Sequence, residues 1–578
     1  MFSSREKIFQ TLLVITFICV QSLSAVVLAE KYDNPSKPVV GSELDSLLEH
    51  WEDHWASPDS SDFAYQIKTA SDNRVYVAGL SKKSEDDADF SLIAYSTSGR
   101  RIWSAIYDAP AGGWDEFKAM DIDEAGNIYL AGSSDRRPDY HSTKDFLTLK
   151  YSSQGELIWE NRLEGAIGNI NEPRAILASA DSCVYVTGGG TIVEGENFSN
   201  YLTVKYSSDG EEEWVVEYDG ESGQNDIATD IAFDPRGNIV ITGVSVTMFS
   251  VDDYLTLKYN PSGELLWASH FYDFITFDND NITLAVDSIG NAYISGFISD
   301  DYPWSTMSVA KLDSSGDHLW TMSYPDSGDG TDHYAVDMGI DEHGNVFVTG
   351  KGWDENENSW DIVTAHYSTD GQFRWASTFD GDLGSDNDVP VDMIVKENGT
   401  VYIAGQTGSS LWHQNYISLE YDRVGNEEMA VLYNGPGHGI DFVQGIDLDD
   451  DGSLYVTGFT YPSIYDSVVV HSTIKYGRRT LSIPEGDFVQ PVDYTLFDIY
   501  PNPFNSTLKI HYKLENPAFV SINIYDLLGR KIETLLSKSE IAGEHNLIWD
   551  AHHSGSGSYY LEINADGKTL HKRAILVR

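Results

Sequence analysis

The chain has 578 residues, 41% apolar, 22% charged and 12% aromatic, which is long enough for several domains and too apolar for a disordered chain. Its 91 Asp and Glu against 37 Lys and Arg give a formal net charge of -54, which repels polyanions and excludes nucleic acid as a natural partner. Two Cys make neither a disulfide scaffold nor a Cys-rich zinc protein.

Residues 1–29 read as a secretory signal peptide. Basic Arg5 and Lys7 precede an apolar run from Ile8 to Val20, and Val27-Leu28-Ala29 offers a small-residue cleavage site. The alternative, an uncleaved anchor, needs about 20 apolar residues, and this run is interrupted by Gln21 and Ser22. Ile18 ahead of Cys19 is too bulky for a lipoprotein box, so no lipid anchor is expected. Cleavage starts the mature chain near Glu30 and leaves Cys183 as its only thiol, hence without an intrachain disulfide. No later window reaches transmembrane length, and residues 30–47 form an N-terminal lead.

An internal repeat fills the middle. Asp-Ile-Asp-Glu-Ala-Gly-Asn-Ile-Tyr-Leu-Ala-Gly at 121–132 returns as Phe-Asp-Pro-Arg-Gly-Asn-Ile-Val-Ile-Thr-Gly at 233–243. The copies close on Gly79, Gly132, Gly188, Gly243, Gly296, Gly350, Gly405 and Gly458, stepping by 53 to 56 residues. Each copy holds four strand signals; in the second they are Phe117–Ile122, Ile128–Ala131, Phe146–Tyr151 and Glu156–Leu163. Asp123-Glu-Ala-Gly126 and Ser152-Ser-Gln-Gly155 supply turns, with Asp bonding its own backbone and Gly free to take positive φ. The second strand is apolar on both faces and the third alternates more. Four strands in about 54 residues, repeated, predict a β-propeller; a linear β-solenoid is the alternative, with coils usually much shorter.

The predicted fourth strand carries a Trp four residues after a turn Gly: Trp103, Trp159, Trp214, Trp267, Trp320 and Trp375, with Met429 in the seventh copy. Four residues after that position stands an aromatic in most copies, Tyr107, Tyr218, Phe271, Tyr324, Phe379 and Tyr433, with Leu163 in the second. The eighth copy stops after its third strand. The missing piece stands at the start of the mature chain, where Trp51 and Trp55 show the same four-residue step. Residues 48–56 are therefore expected to supply the outer strand of the last blade, closing an eight-bladed β-propeller over 48–477.

These copies resemble the bacterial β-propeller repeat family labelled SBBP, whose units read Gly-Asn-x-Tyr-x-x-Gly, an Asp-x-x-x-x-Lys-Tyr strand and Gly-x-x-x-Trp. The resemblance implies the fold over three quarters of the chain and no particular activity. Gly155-Glu-Leu-Ile-Trp159 also resembles the tryptophan-docking element of pyrroloquinoline quinone dehydrogenases, which are eight-bladed too. Those enzymes add a vicinal Cys pair and a calcium site, whereas Cys183 stands alone. Two readings are open: a quinoprotein-like dehydrogenase, or a Trp that staples blade to blade.

After a linker at 478–489 the composition changes: residues 490–578 hold nine Lys or Arg against ten Asp or Glu, so the acidic excess belongs to the propeller. Alternating strands at 507–514, 520–525, 530–536, 545–549, 557–564 and 569–577 predict a small immunoglobulin-like β-sandwich. Tyr500-Pro-Asn-Pro-Phe-Asn505, Ile524-Tyr-Asp-Leu-Leu-Gly-Arg530, Ala542-Gly543, Trp549-Asp550, Gly557-Ser-Tyr-Tyr560 and Lys572 to Arg578 resemble the type A C-terminal sorting domain of the type IX (Por) secretion system. Ala551 stands where that family often has Gly. The resemblance implies a partner, the type IX machinery, and a destination, the outer-membrane surface or the medium. The alternative is a plain sandwich of the kind found in flagellar hook-capping proteins.

No His-Glu-x-x-His, Gly-x-Ser-x-Gly, P-loop or Cys-x-x-Cys is present, so no catalytic residue is assigned and no cofactor is expected, calcium excepted. Asp447, Asp449 and Asp451, followed by Gly452, begin like a calcium loop, but position 12 is Gly458 rather than Glu; the same segment is the turn between the first two strands of copy eight. Loop residues Trp304, Trp353 and Trp360 are the candidate binding residues, since glycans stack on such rings and protein partners anchor on them. The sequence thus points to an exported, non-catalytic binding or scaffold protein. A polysaccharide hydrolase or lyase, with acids converging on the propeller face, is the alternative.

Overall fold

The computed structural model describes residues 48–477 and 497–576, apart from short connecting segments at 58–59, 111, 137–142, 167–168, 196–197, 221–222, 247–251, 277–280, 299–304, 325–330, 356, 382–386, 411–412, 436–439 and 462–468 in the first stretch and 501–503, 515–517, 527–530, 542, 553–556 and 566–567 in the second. The signal peptide, the lead, the linker and Trp304 lie outside the described residues.

Among the described residues every element is a strand, and 48–477 forms eight four-stranded antiparallel sheets. Blades 1 to 7 span 61–107, 115–163, 172–218, 226–276, 283–323, 333–379 and 387–433. Blade 8 has the order Leu48–Trp55, Val470–Gly477, Leu454–Tyr461, Ile440–Leu448, so the N-terminal strand is its outer strand. The first strands of successive blades touch all round the ring, blade 8 to blade 1 included, and so line its axis.

Burial follows position in the blade. In blade 2, Ile128–Asp135 is buried throughout, as a strand apolar on both faces should be, while the outer strand Leu157–Leu163 is largely open. The third strand, Lys144–Tyr151, is also buried along nearly its whole length although its sequence alternates. Neighbouring blades cover both of its faces, and its polar residues are spent on the seams.

Those seams share one device. The indole Nε1 of Trp103, Trp159, Trp214, Trp267, Trp320 and Trp375 donates to the carbonyl of Ser153, Ser208, Pro261, Ser314, Thr369 and Arg423 in the next blade, at 3.0–3.3 Å. A buried third-strand lysine often reaches the same carbonyl: Lys150 to Ser208 at 2.9 Å, Lys311 to Thr369 at 3.0 Å. Each of these ammonium groups also lies over a tyrosine of its own blade, Lys150 over Tyr129 at 5.0 Å and Lys311 over Tyr293 at 4.6 Å. Blade 1 has Ala94 in the lysine's place, and Arg74 Nη1 serves Ser153 instead, at 2.6 Å. The Met at 429 now has a physical reason. Blade 8 takes its outer strand from the N-terminus, so no turn joins its third and fourth strands to receive an indole from blade 7. Met429 is instead buried in the apolar core shared by blades 7 and 8.

The turn glycine facing each indole is part of the staple. Gly155 has φ +85°, and a Cβ there would fall 2.7 Å from Cδ2 of Trp103. Gly237, in a turn of blade 4, has φ +77° with open space around it. Gly155→Ala is expected to cost about 2–4 kcal/mol, combining left-handed strain with overpacking, and Gly237→Ala about 1 kcal/mol from strain alone. Urea denaturation of the two variants separates the indole contact from the backbone term.

The C-terminal unit, divided from the first after Thr480, has two sheets. One has the order Phe497–Tyr500, Thr507–Leu514, Gly543–Asp550; the other Lys531–Glu540, Ala518–Asp526, Gly557–Ala565, Lys568–Leu576. Both contribute to one core around Trp549, which is fully buried and sits 5.4 Å from Phe504 and 5.1 Å from Tyr559. This is a β-sandwich. Ala551 is buried in that core, so its methyl group is accommodated where the sorting family often has Gly.

Candidate functional site

Chain direction gives the ring two unlike faces. One carries the short repeated turns after the first strand of every blade and the third strand of blades 1 to 7; the other carries the longer and more varied connections after the second and fourth. The first face is closed chemistry. Asp123, at the head of a repeated turn, accepts from Asn127 N at 2.8 Å, Asn127 Nδ2 at 2.7 Å and Tyr129 OH at 2.9 Å. Asp234, Asp287 and Asp341 hold their Asn partners in the same way.

The axis is lined by acids, and they are employed. Asp121, Asp230, Asp337 and Asp392 accept the backbone N–H of Ala178, Leu284, Met393 and Ile446 in the following blade at 2.7–2.9 Å. Gln66 does the same for Met120 at 2.6 Å, and Asp447 for Thr69 across the closure. Burial pushes the Asp230 carboxyl up to about 6. Burial likewise lifts Asp337 well above the carboxylate range and Asp392 to about 6, and the two share a hydrogen bond. Burial works against the Lys68 ammonium, but Asp121, 3.3 Å away, and Asp447 outweigh it and raise it.

A carboxyl raised on folding binds protons the unfolded chain does not hold, so its contribution to stability is full below the unfolded value near 4 and is lost as pH rises through the folded value. For Asp230 and Asp392 that window runs from about pH 4 to 6. The melting temperature is therefore expected to fall between about pH 4 and pH 6, with a shallower slope for Asp230→Asn; scanning calorimetry across that range checks it.

The structure separates the three acids of the calcium-like run. Asp447 faces the axis and binds Thr69 N. Asp449 sits in the turn, where burial is outweighed by Ser453 N at 2.8 Å, Tyr455 OH at 2.9 Å and Lys475 Nζ at 3.3 Å, which hold its carboxyl low. Asp451 is exposed. Trp353 and Trp360 do come together, facing each other across the hairpin between the second and third strands of blade 6, with ring centroids 5.1 Å apart and nearly perpendicular. Lys351 Nζ lies 5.0 Å from the Trp360 ring and 5.3 Å from Tyr334, and Tyr334 in turn meets Phe297 of blade 5 at 5.1 Å. Trp353 N donates to Asp332 O at 2.9 Å and Trp360 N to Asn387 Oδ1 at 3.1 Å, pinning the hairpin on both sides.

Two further groups on the varied face escape a reading by motif. Phe63 of blade 1 meets Phe459 at 5.1 Å across the closing seam, and Phe442 and Tyr461 of blade 8 extend that aromatic patch. Glu116, Lys118, Lys144 and Glu172 form an ion-pair network over blades 2 and 3, at 2.5–3.0 Å. Both groups draw on one repeat position, the residue after the Asp, Asn or, in blade 6, His at the head of the first strand: Phe63, Glu116, Glu172, Ile227, Tyr334, Val389 and Phe442. Its neighbours repeat and it does not, which is the signal that marks a displayed position.

Residues 498–577 match the family described as a secretion system C-terminal sorting domain. No curated protein matches the sequence. Among solved structures, a catalytically inactive virginiamycin B lyase from Staphylococcus aureus with quinupristin is 11% identical, with 61% of this chain and 96% of that one covered and a TM-score of 0.33. The periplasmic gluconolactonase of Pseudomonas aeruginosa is 12% identical over 66% and 98%, at 0.37. The β-propeller domain of the Trilobed protease from Pyrococcus furiosus is 11% identical over 62% and 93%, at 0.36. No activity is carried over from any of them. Among the described residues no helix is long and apolar enough to cross a membrane. The chain is thus an eight-bladed β-propeller that carries a C-terminal sorting domain of the Por (type IX) secretion system, and its destination is the cell surface or the medium.

Proposed function

We propose that the exported propeller is a non-catalytic binding or scaffold protein of the SBBP-repeat type, delivered by its sorting domain through the type IX machinery and presenting its varied face to a glycan or a surface protein. One observation carries this reading. The carboxylates nearest to a catalytic arrangement, those along the axis, are each committed to a backbone N–H of the next blade, which makes them ties rather than free acids or bases. The varied face, in contrast, offers aromatic rings beside cations, a chemistry suited to stacking.

A polysaccharide hydrolase or lyase has one observation in its favour, the proton-sharing pair Asp337 and Asp392, since glycoside cleavage uses two carboxyl groups. A glycan array probed with the full chain, with and without calcium, tests the reading. Retained binding is expected, with a loss of tenfold or more for Trp353→Ala/Trp360→Ala, the usual scale for aromatic anchors. Binding indifferent to both substitutions would place the ligand elsewhere.

A further inference from the structure

The seams between blades repeat a set of buried acids on the varied face, and the repeats differ in what neutralises them. The register places three positions in line: the start of a third strand, the residue after a fourth strand, and the start of the next blade's first strand. At the seam of blades 1 and 2 they are Asp89, Asp108 and Asp115, and Lys83 supplies the cation, 2.6 Å from Asp89 and 3.3 Å from Asp108. At the seam of blades 2 and 3 they are Asp145, Glu164 and Asn171. There Arg136 reaches Asp145 at 2.6 Å and Arg162 adds a second contact at 3.3 Å. Lys83 and Arg136 occupy the same repeat position, four residues after the closing glycines Gly79 and Gly132.

At the seam of blades 6 and 7 the acids are Asp361, Asp380 and Asp388, with one oxygen of each within 4.8 Å of the others. The position that holds Lys83 and Arg136, four residues after Gly350, is here Asp354. The built-in cation has been replaced by another carboxylate. Asp361 is 7% exposed and its Oδ1 has no hydrogen-bond partner; among the described residues no Lys, Arg or His forms an ion pair with it. Burial, then Asp380, Asp354, Asp388 and Glu357, push its carboxyl up to about 7. A buried charge without a counter-charge is costly, and two other seams of the same ring fill this place with a side-chain cation.

We propose that the seam of blades 6 and 7 binds a calcium ion through Asp361, Asp380 and Asp388, with Asp354 beside them, in the place that Lys83 and Arg136 fill at the earlier seams. The chemistry fits. Calcium takes oxygen ligands at about 2.3–2.6 Å, so two ligands on opposite sides of one ion stand at most about 5 Å apart, and carboxylates are its usual ligands. Three carboxylates converging on one point, with Asp354 beside them, suit the six to eight oxygens of a flexible calcium shell better than magnesium, which keeps several of its waters and takes one or two carboxylates. The hairpin that carries Asp354 also carries Trp353 and leads into Trp360, so the ion would fix the base of that aromatic pair. The proposal stands independently of what those rings bind.

The test uses the full mature chain, stripped with a chelator and titrated calorimetrically with calcium chloride to about 5 mM, above the roughly 10⁻⁴–10⁻³ M dissociation constants of extracellular calcium modules. One ion per chain and a raised melting temperature are expected, with a much smaller response to magnesium. Asp361→Asn, which keeps shape and removes charge, should weaken binding at least tenfold. Asp354→Lys, which restores the side-chain cation of blades 1 and 2, should abolish the calcium response while melting, in chelator, at or above the stripped wild type. No binding heat and no thermal shift would overturn the proposal, as would wild-type responses from both variants or an equal response to magnesium. A stripped protein that loses stability as pH rises through about 7 and is not restored by calcium would assign the neutralising role to a proton and overturn it too.

Discussion

A chain lacking residues 30–56 is expected to lose its cooperative propeller transition, because this single segment supplies the outer strand of blade 8 and the last staple of the ring. Its strand pairs with Val470–Gly477 from Leu48 opposite Gly477 to Trp55 opposite His471. Trp51 Nε1 donates to Thr97 O in blade 1 at 3.0 Å, and Lys475 reaches the same carbonyl at 3.4 Å. Trp55 is buried with Ile67, Val77 and Tyr95 of blade 1 and Tyr455 of blade 8. Removing the strand uncovers that cluster, leaves an unpaired edge that invites aggregation, and takes away contacts comparable to the whole stability of an ordinary domain, about 5–15 kcal/mol. Trp55→Ala alone should cost about 3–5 kcal/mol. Thermal and urea unfolding followed by tryptophan fluorescence distinguish the outcomes, and a truncated chain that melts like the intact one would refute closure by the N-terminal strand.

Deleting residues 490–578 should have an equally large effect of another kind. In a host with type IX machinery the truncated protein is expected to accumulate in the periplasm, with near-complete loss from the surface and the medium, as read by fractionation and surface biotinylation. Its propeller should melt where it does in the full chain, since the sandwich has its own core around Trp549. Undiminished surface protein after the deletion would remove the sorting role from this domain.

Much of the ring is legible in the sequence because its physics is periodic. Closing glycines set the repeat, and Trp51 at the wrong end of the chain points to closure. The Met at 429 is as informative as the tryptophans, since the one seam without an indole is the one without a receiving turn. The buried lysines are not legible: Lys150 or Lys311, read alone, is a surface residue on an alternating strand, and only the next blade's carbonyl explains its burial. The acids are harder still. Asp447, Asp449 and Asp361 carry the same side chain, yet one ties the axis, one caps a turn and one lies in a seam without a base, as decided by partners from 4 to 378 residues away. The short strand Phe497–Tyr500, hard against Pro501, offers too few residues for a period to emerge. The aligned copies do hold one such signal, the change from Lys83 and Arg136 to Asp354, because a repeat protein carries its own comparison set.

Turnover, rather than affinity, separates a binding propeller from an enzyme. Neutral, acidic and amino-sugar polysaccharides are incubated with stoichiometric full-length protein, and chain length and newly formed ends are followed over a day. Bound polysaccharide is expected to be recovered at its original length, in wild type and in Asp337→Asn/Asp392→Asn alike. Shortened chains or new reducing or unsaturated ends, abolished by that double substitution, would contradict a binding role and make the axis an active site.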